Sequence, residues 1–162
     1  MVAVGELHPG IAILAPLLGH WVGHGSGNYP TIEAFDYTED VSIGHTGKPF
    51  LTYSQKTRSD DGRSLHAETG YIRVPSPHRI EWVIAHPTGI TEVDEGSLVV
   101  ADDALVIDVR STTIAASASA KEVTALTRSI RVTDAEMSYT LQMAAVGLPL
   151  QHHLSATLHR QQ

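Results

Sequence analysis

The chain has 162 residues, 42% of them hydrophobic, which is enough to bury the core of one domain spanning residues 1–162. Eighteen acidic against eleven basic side chains leave a formal charge of −7, which argues against nucleic acid as a partner, since phosphate binding draws on a basic patch. Cysteine is absent, so disulfides, thiolate catalysis, cysteine-ligated zinc and covalent haem attachment through cysteine are excluded, and a reducing cytoplasm is compatible with the composition.

The opening segment, MVAVGELHPGIAILAPLLGH, lacks a basic leader, and its apolar stretch is interrupted at Pro16. It predicts neither a signal peptide nor a membrane span. Residues 9–18 predict a short helix that starts at Pro9 and is limited by Pro16 and Gly19. Leu14, Leu17 and Leu18 would give it an apolar face able to plug or brace a sheet. Everything after Gly19 reads as short strands: 21–29, 34–43, 50–58, 64–74, 79–85, 89–95, 97–101, 104–112, 122–132, 136–145 and 150–158. Turn signals fall between them at Gly44 and Gly47, Asp60-Asp61-Gly62, Pro75 and Pro77, Asp102-Asp103, Thr133-Asp134, and Gly147 with Pro149. The Ala/Ser run at 115–120 reads equally as a loop or a distorted strand. No helical pattern recurs between strands, so a βαβ architecture is not expected. About ten strands in one continuous domain favour a closed antiparallel barrel, which leaves no sheet edge exposed.

The last strand carries the most informative pair. In LPLQHHLSATLHR, alternation puts Leu150, His152, Leu154, Ala156 and Leu158 on one face, and Gln151, His153, Ser155, Thr157 and His159 on the other. Adjacent His152 and His153 therefore point opposite ways. The mixture of polar and apolar positions suggests a barrel with a ligand cavity, although a water-filled interior or one exposed face gives the same pattern.

Gly19-His20-Trp21-Val22-Gly23-His24-Gly25 resembles the GxWxGxG signature of the nitrobindin family, small haem-binding barrels shaped like lipocalins and fatty-acid-binding proteins. The resemblance continues through Tyr29-Pro30-Thr31-Ile32, Gly47-Lys48-Pro49-Phe50, Leu65-His66-Ala67-Glu68-Thr69-Gly70-Tyr71 and Ala85-His86-Pro87-Thr88-Gly89-Ile90. It ends at Met143, Pro149 and His153-Leu154, so it covers nearly the whole chain, and it looks most like the actinobacterial branch. The resemblance implies non-covalent ferric haem b, with His153 as the proximal iron ligand and His152 facing away. It places His66 and its neighbour Leu65 on the other side of the haem, Thr31 against the cofactor and Met143 in packing contact with it. His153 and His66 are the candidate catalytic pair.

The implied chemistry is binding of nitric oxide and isomerisation of peroxynitrite to nitrate, in a protein that pairs as a homodimer. Ile32, Phe50 and Tyr139 are candidates to line or seal the cavity, and a buried Trp21 would need an acceptor for its indole N–H. His86, ahead of Pro87, reads as structural. Glu39-Asp40 and Asp60-Asp61 read as solvated carboxylates rather than a glycosidase pair. His8, His20, His24, His45, His78 and His159 show no compact metal spacing. Three other readings stay open: a barrel for a fatty acid or another apolar ligand, a nitric-oxide carrier or sensor with little isomerase turnover, and a structural or interaction protein that keeps the barrel without the cofactor.

Overall fold

In the computed structural model, which describes residues 5–162, a single meander of ten antiparallel strands closes on itself. Residues 1–4, the start of the segment read above as lacking a leader, lie outside the described residues. The strands are β1 (Gly19–Tyr29), β2 (Ile32–His45), β3 (Leu51–Arg58), β4 (Ser64–Ser76), β5 (Arg79–His86), β6 (Ile90–Ala101), β7 (Ala104–Ala116), β8 (Val123–Val132), β9 (Glu136–Ala145) and β10 (Gln151–Arg160). Each pairs with its neighbours in sequence, and β1 closes the barrel against β10 from Trp21–Arg160 to Gly27–Leu154.

The expected segments 89–95 and 97–101 are one strand, because Gly96 passes through the ladder instead of ending it. A Cβ at Gly96 would lie 1.9 Å from the Asp108 carbonyl, so the missing side chain lets β6 and β7 approach closely. The Ala/Ser run divides: 115–116 complete β7, and a turn begins at Ser117.

The two ends of the barrel are built differently. One is plugged by a 3₁₀ helix, Pro9–Leu17, whose buried residues are Ile11, Leu14 and Leu17. Each such side chain contributes about 1.5–3 kcal/mol on leaving water. Leu18, expected on that apolar face, is only half-buried. Trp21 is fully buried beneath the helix, and its indole N–H donates to the Leu17 carbonyl at 2.9 Å. Arg160, at the end of β10, lays its guanidinium 4.2 Å from the centre of the Trp21 ring. It also donates to the carbonyls of Pro16 (2.7 Å), Asp134 (2.8 Å) and Leu18, tying the helix to the last strand.

The opposite end gathers the β1–β2, β3–β4, β5–β6, β7–β8 and β9–β10 connections. Ile32, Leu65, Val146 and Leu150 are exposed there, giving the mouth an apolar rim. The glycines of β1 let the wall come in close between these ends. A Cβ at Gly23 would meet the Thr157 carbonyl at 2.0 Å, and one at Gly25 would sit 2.3 Å from the ring of Tyr37.

Gly23→Ala should therefore force β1 and β10 apart and lower unfolding free energy by about 1–3 kcal/mol, read as a drop in urea midpoint at unchanged m-value.

Candidate functional site

One irregularity in β10 decides what its two histidines do. Gln151 pairs with Met143 and His152 with Gln142, but Leu154 pairs with Leu141, so His153 is an extra residue facing no partner on β9. Such a bulge bends the strand and re-aims a side chain. Ala156 and Leu158 are buried and Leu154 half-buried, so unbroken alternation from them would have turned His152 inward. With the extra residue, His152 is exposed, while His153 is half-buried against Tyr29, ring centres 5.5 Å apart in an edge contact.

His153 is held by more than packing. Its Nδ1 lies 2.9 Å from the Asn28 carbonyl. A carbonyl can only accept, so Nδ1 carries the hydrogen and the neutral ring presents a bare Nε2. Burial lowers the His153 pKa, opposed by the Asn28 hydrogen bond and helped by the nearby charges of His152 and His66. The neutral form is favoured. Tyr29 is fixed in turn: its hydroxyl accepts from the Ala145 N–H at 2.9 Å and has the Met143 and Ala145 carbonyls at 3.2 and 3.4 Å as acceptors. The half-buried Met143 thus lies on the strand that anchors Tyr29.

The other expected site residues lie at this same mouth. Thr31 is exposed in the two-residue β1–β2 turn, and Leu65 is exposed at the start of β4. Next to it, His66 is half-buried on the inner face, with Glu68 two residues on. Of the sealing candidates, Tyr139 lines an interior cavity together with Glu39, Gln55, Arg128 and Leu154, whereas Ile32 is 49% exposed. Phe50 packs against Tyr71 at the helix-plugged end, 5.4 Å between ring centres, away from the mouth. Trp21 has the acceptor it needs, at that same end.

Below His66 the barrel holds a buried charge network. The Arg128 guanidinium donates to Glu68 Oε2 at 3.1 Å and to Glu92 Oε1, and its Nε is 3.4 Å from Asp94. Tyr53 donates to Glu68 Oε2 at 3.0 Å. His86 contacts Glu92 Oε1 through Nε2 at 2.7 Å and His66 through Nδ1 at 3.2 Å. His86, read from the sequence as a structural strand-end residue, is the last residue of β5 and bridges His66 to the interior.

Burial would raise the Glu68 pKa, yet Arg128, followed by the His66 hydrogen bond, holds this carboxyl well below the ordinary range. Glu92 is likewise lowered to about 2, Arg128 outweighing burial. Asp94 goes the other way, pushed up to about 8 by burial and then by the charge of Glu92. Neither oxygen of Asp94 has a donor, nor does Glu92 Oε2. A proton kept on Asp94 and shared with Glu92 satisfies both carboxyls.

Glu39 was expected to be solvated, and it is not. At 2% exposure it projects inward from β2, accepting from Tyr139 at 2.6 Å and from Gln55 at 2.8 Å. Burial outweighs these two donors and pushes its pKa up to about 7. Glu39, Glu68, Glu92, Asp94 and Arg128 have no motif spacing. The available signal was parity, since Glu92 and Asp94 alternate in step with the inward Ile90 and Leu98.

Residues 10–160 match the family described as THAP4-like, heme-binding beta-barrel domain. The chain is 61% identical to a peroxynitrite isomerase of Nocardia farcinica over 155 residues, covering 95% of this chain and 92% of the relative. It is 58% identical to peroxynitrite isomerase 1 of Mycolicibacterium paratuberculosis over 157 residues, covering 96% and 98% respectively. The crystal structure of Rv2717c from M. tuberculosis superposes with a TM-score of 0.94 at 52% identity, over 97% of this chain and all of that one.

The raised Glu39 pKa sets a pH dependence. The folded state holds a proton that the unfolded state has released, so this contribution to stability is complete below about 4.5, the ordinary value, and is lost as pH rises through about 7. Urea midpoints of the wild type should fall relative to Glu39→Gln between these values. Parallel pH profiles would contradict a buried protonated Glu39.

Proposed function

Since the chain belongs to the nitrobindin-like, THAP4-like haem-binding β-barrel family, in the actinobacterial branch of the relatives above, we propose that it holds ferric haem b at the open mouth of the barrel and isomerises peroxynitrite to nitrate. The observation that carries this reading is the bulged His153, whose Nδ1–H is committed to the Asn28 carbonyl and whose Nε2 is left bare. That is the tautomer an iron-ligating histidine requires, with a backbone carbonyl orienting it from behind. The surroundings fit a large apolar macrocycle: exposed Ile32, Leu65, Val146 and Leu150 at the rim, and half-buried Met143 and Leu154 within.

Haem held there would supply the iron chemistry for converting peroxynitrite to nitrate and for binding nitric oxide. The protein's own contribution is positional. His153 would hold the iron through Nε2, its ring oriented by the Asn28 carbonyl and by the edge contact with Tyr29. His66, half-buried near the start of β4, lies at the same end of the barrel as His153. Its Nε2 is engaged by Glu68 and His86, each at 3.2 Å, so the ring is restrained from swinging across the mouth. Met143 and Leu65 shape the apolar surroundings, and the exposed Thr31 hydroxyl supplies a polar group at the rim. The reaction is an isomerisation, so substrate and product carry the same atoms and charge.

A fatty-acid reading fares worse. In a barrel that binds a carboxylate inside, a cation must be free to meet it, and Arg128 is already committed to Glu68 and Glu92. Among the described residues no helix is long and apolar enough to cross a membrane. The absence of cysteine is compatible with a reducing, cytoplasmic setting.

Wild type reconstituted with hemin should show a histidine-ligated Soret band and accelerate nitrate formation from peroxynitrite. His153→Ala should lose that coordination and lower the rate on the order of tenfold or more. An unchanged Soret spectrum in His153→Ala would overturn the ligand assignment. Wild type that forms a nitrosyl complex without faster nitrate formation would overturn the isomerase and leave a carrier. Tyr29→Phe keeps His153 but frees the Ala145 N–H, so it should bind hemin with stability reduced by about 1–3 kcal/mol in thermal melts.

A further inference from the structure

We propose that His66, Glu68 and His86 form a second metal site, separate from the haem ligand, for a first-row divalent cation of the zinc class. Three donor atoms converge at the inner wall of the mouth. His66 Nε2 is 3.2 Å from His86 Nδ1 and 3.2 Å from Glu68 Oε1, and His86 Nδ1 is 3.8 Å from Glu68 Oε1. A tetrahedral ion with bonds of about 2.0–2.1 Å separates its ligands by roughly 3.3–3.4 Å. The triangle therefore has the size of one face of such a site without rearrangement of the strands.

The backbone explains why the three meet. His66 and Glu68 are two apart on β4 and share its inner face, and β5 runs beside it with Thr69 opposite Ala85, the residue before His86. The outer contacts favour ligation as well. His86 Nε2 lies 2.7 Å from Glu92 Oε1, an oxygen that also accepts from the Arg128 guanidinium and so acts as an acceptor. The hydrogen of His86 is thus on Nε2, and Nδ1 offers a lone pair toward the other two donors. A carboxylate behind a ligating histidine is the arrangement that orients such rings in metal sites. Glu68 divides its oxygens in the same spirit: Oε2 accepts from Arg128 and Tyr53, leaving Oε1 for the triangle.

Two acceptors, Glu68 Oε1 and His86 Nδ1, thus compete for one hydrogen on His66 Nε2. A cation at the centre serves all three once His66 carries its hydrogen on the other ring nitrogen. The surroundings are acidic too, since the carboxyls of Glu68, Glu92 and Asp94 gather around the single guanidinium of Arg128. Two imidazoles with one carboxylate select zinc, iron(II) or cobalt over magnesium and calcium, which take all-oxygen sets. His66 is 32% exposed at its side chain against 10% for His86 and 5% for Glu68, so the remaining coordination position opens to the mouth. Three protein ligands with an open position is the pattern of reactive rather than purely structural zinc.

The test is a cobalt(II) titration of the full chain without hemin, followed by visible d–d absorption and calorimetry. One equivalent should bind with the intense bands of a four- or five-coordinate ion, and zinc should displace it. His66→Ala removes a half-exposed ligand and leaves the Arg128 cluster intact, so it should fold and bind cobalt at least about tenfold more weakly. His86→Ala should do the same, with melting curves confirming that each variant is folded. His153→Ala and the surface variant His20→Ala should bind as wild type does. Absence of saturable binding in wild type, wild-type affinity in folded His66→Ala, or loss of binding in His153→Ala would each overturn the site.

Discussion

The mouth of this barrel depends on one additional residue in β10. Strands alternate strictly, so a histidine next to an inward leucine must ordinarily face outward. The bulge at His153 breaks that rule once, within two residues of the β9–β10 connection, where the ladder has few pairs left to lose. It turns His153 against Tyr29 and the Asn28 carbonyl while leaving Leu154, Ala156 and Leu158 in the wall of the core. The tautomer follows from that contact, and the bare Nε2 follows from the tautomer. Deleting the bulge would exchange the roles of the two histidines and leave His153 in solvent.

The second organising feature is the interior charge. A filled barrel of ten strands would be expected to pack aliphatic side chains, yet Glu39, Glu68, Glu92, Asp94 and Arg128 are all buried. Such a cluster is a poor source of net stability, since desolvation consumes most of the attraction between the ions. Removing a single member is another matter, because it strands a buried charge at a cost of about 3–5 kcal/mol. The network therefore acts as a rigid frame beneath His66. Through His86 and Glu68 it fixes the ring of His66 at the mouth. Keeping Asp94 protonated, with its pKa near 8, limits the negative charge this frame must carry.

Architecture was legible in the sequence because it rests on local signals. Period-two alternation, turn residues and the proline-limited first segment account for the ten strands, the closed meander and the helical plug. Gly96 misled, since a glycine that marks a turn and a glycine that lets two backbones touch look alike in one dimension. The site was legible only in part. His152 and His153 were visible as a pair, but alternation alone would have chosen His152, and the family pattern was needed to choose His153. A bulge has no composition of its own, so nothing in LPLQHHLSATLHR announces it. Glu39 was hidden by its neighbour Asp40, which is partly exposed and pairs with His20 and Arg58, making the two read as one solvated pair. The partners of Arg128 come from β4 and β6, and no spacing within a strand could connect them.

The most direct test of this account is a crystal structure of the hemin-loaded chain with the iron located by anomalous scattering. The bulged strand predicts iron within bonding distance of His153 Nε2, with His153 Nδ1 still on the Asn28 carbonyl and His152 in solvent. Iron bound by His152, or a regular β10 with His153 on the outer surface, would contradict it.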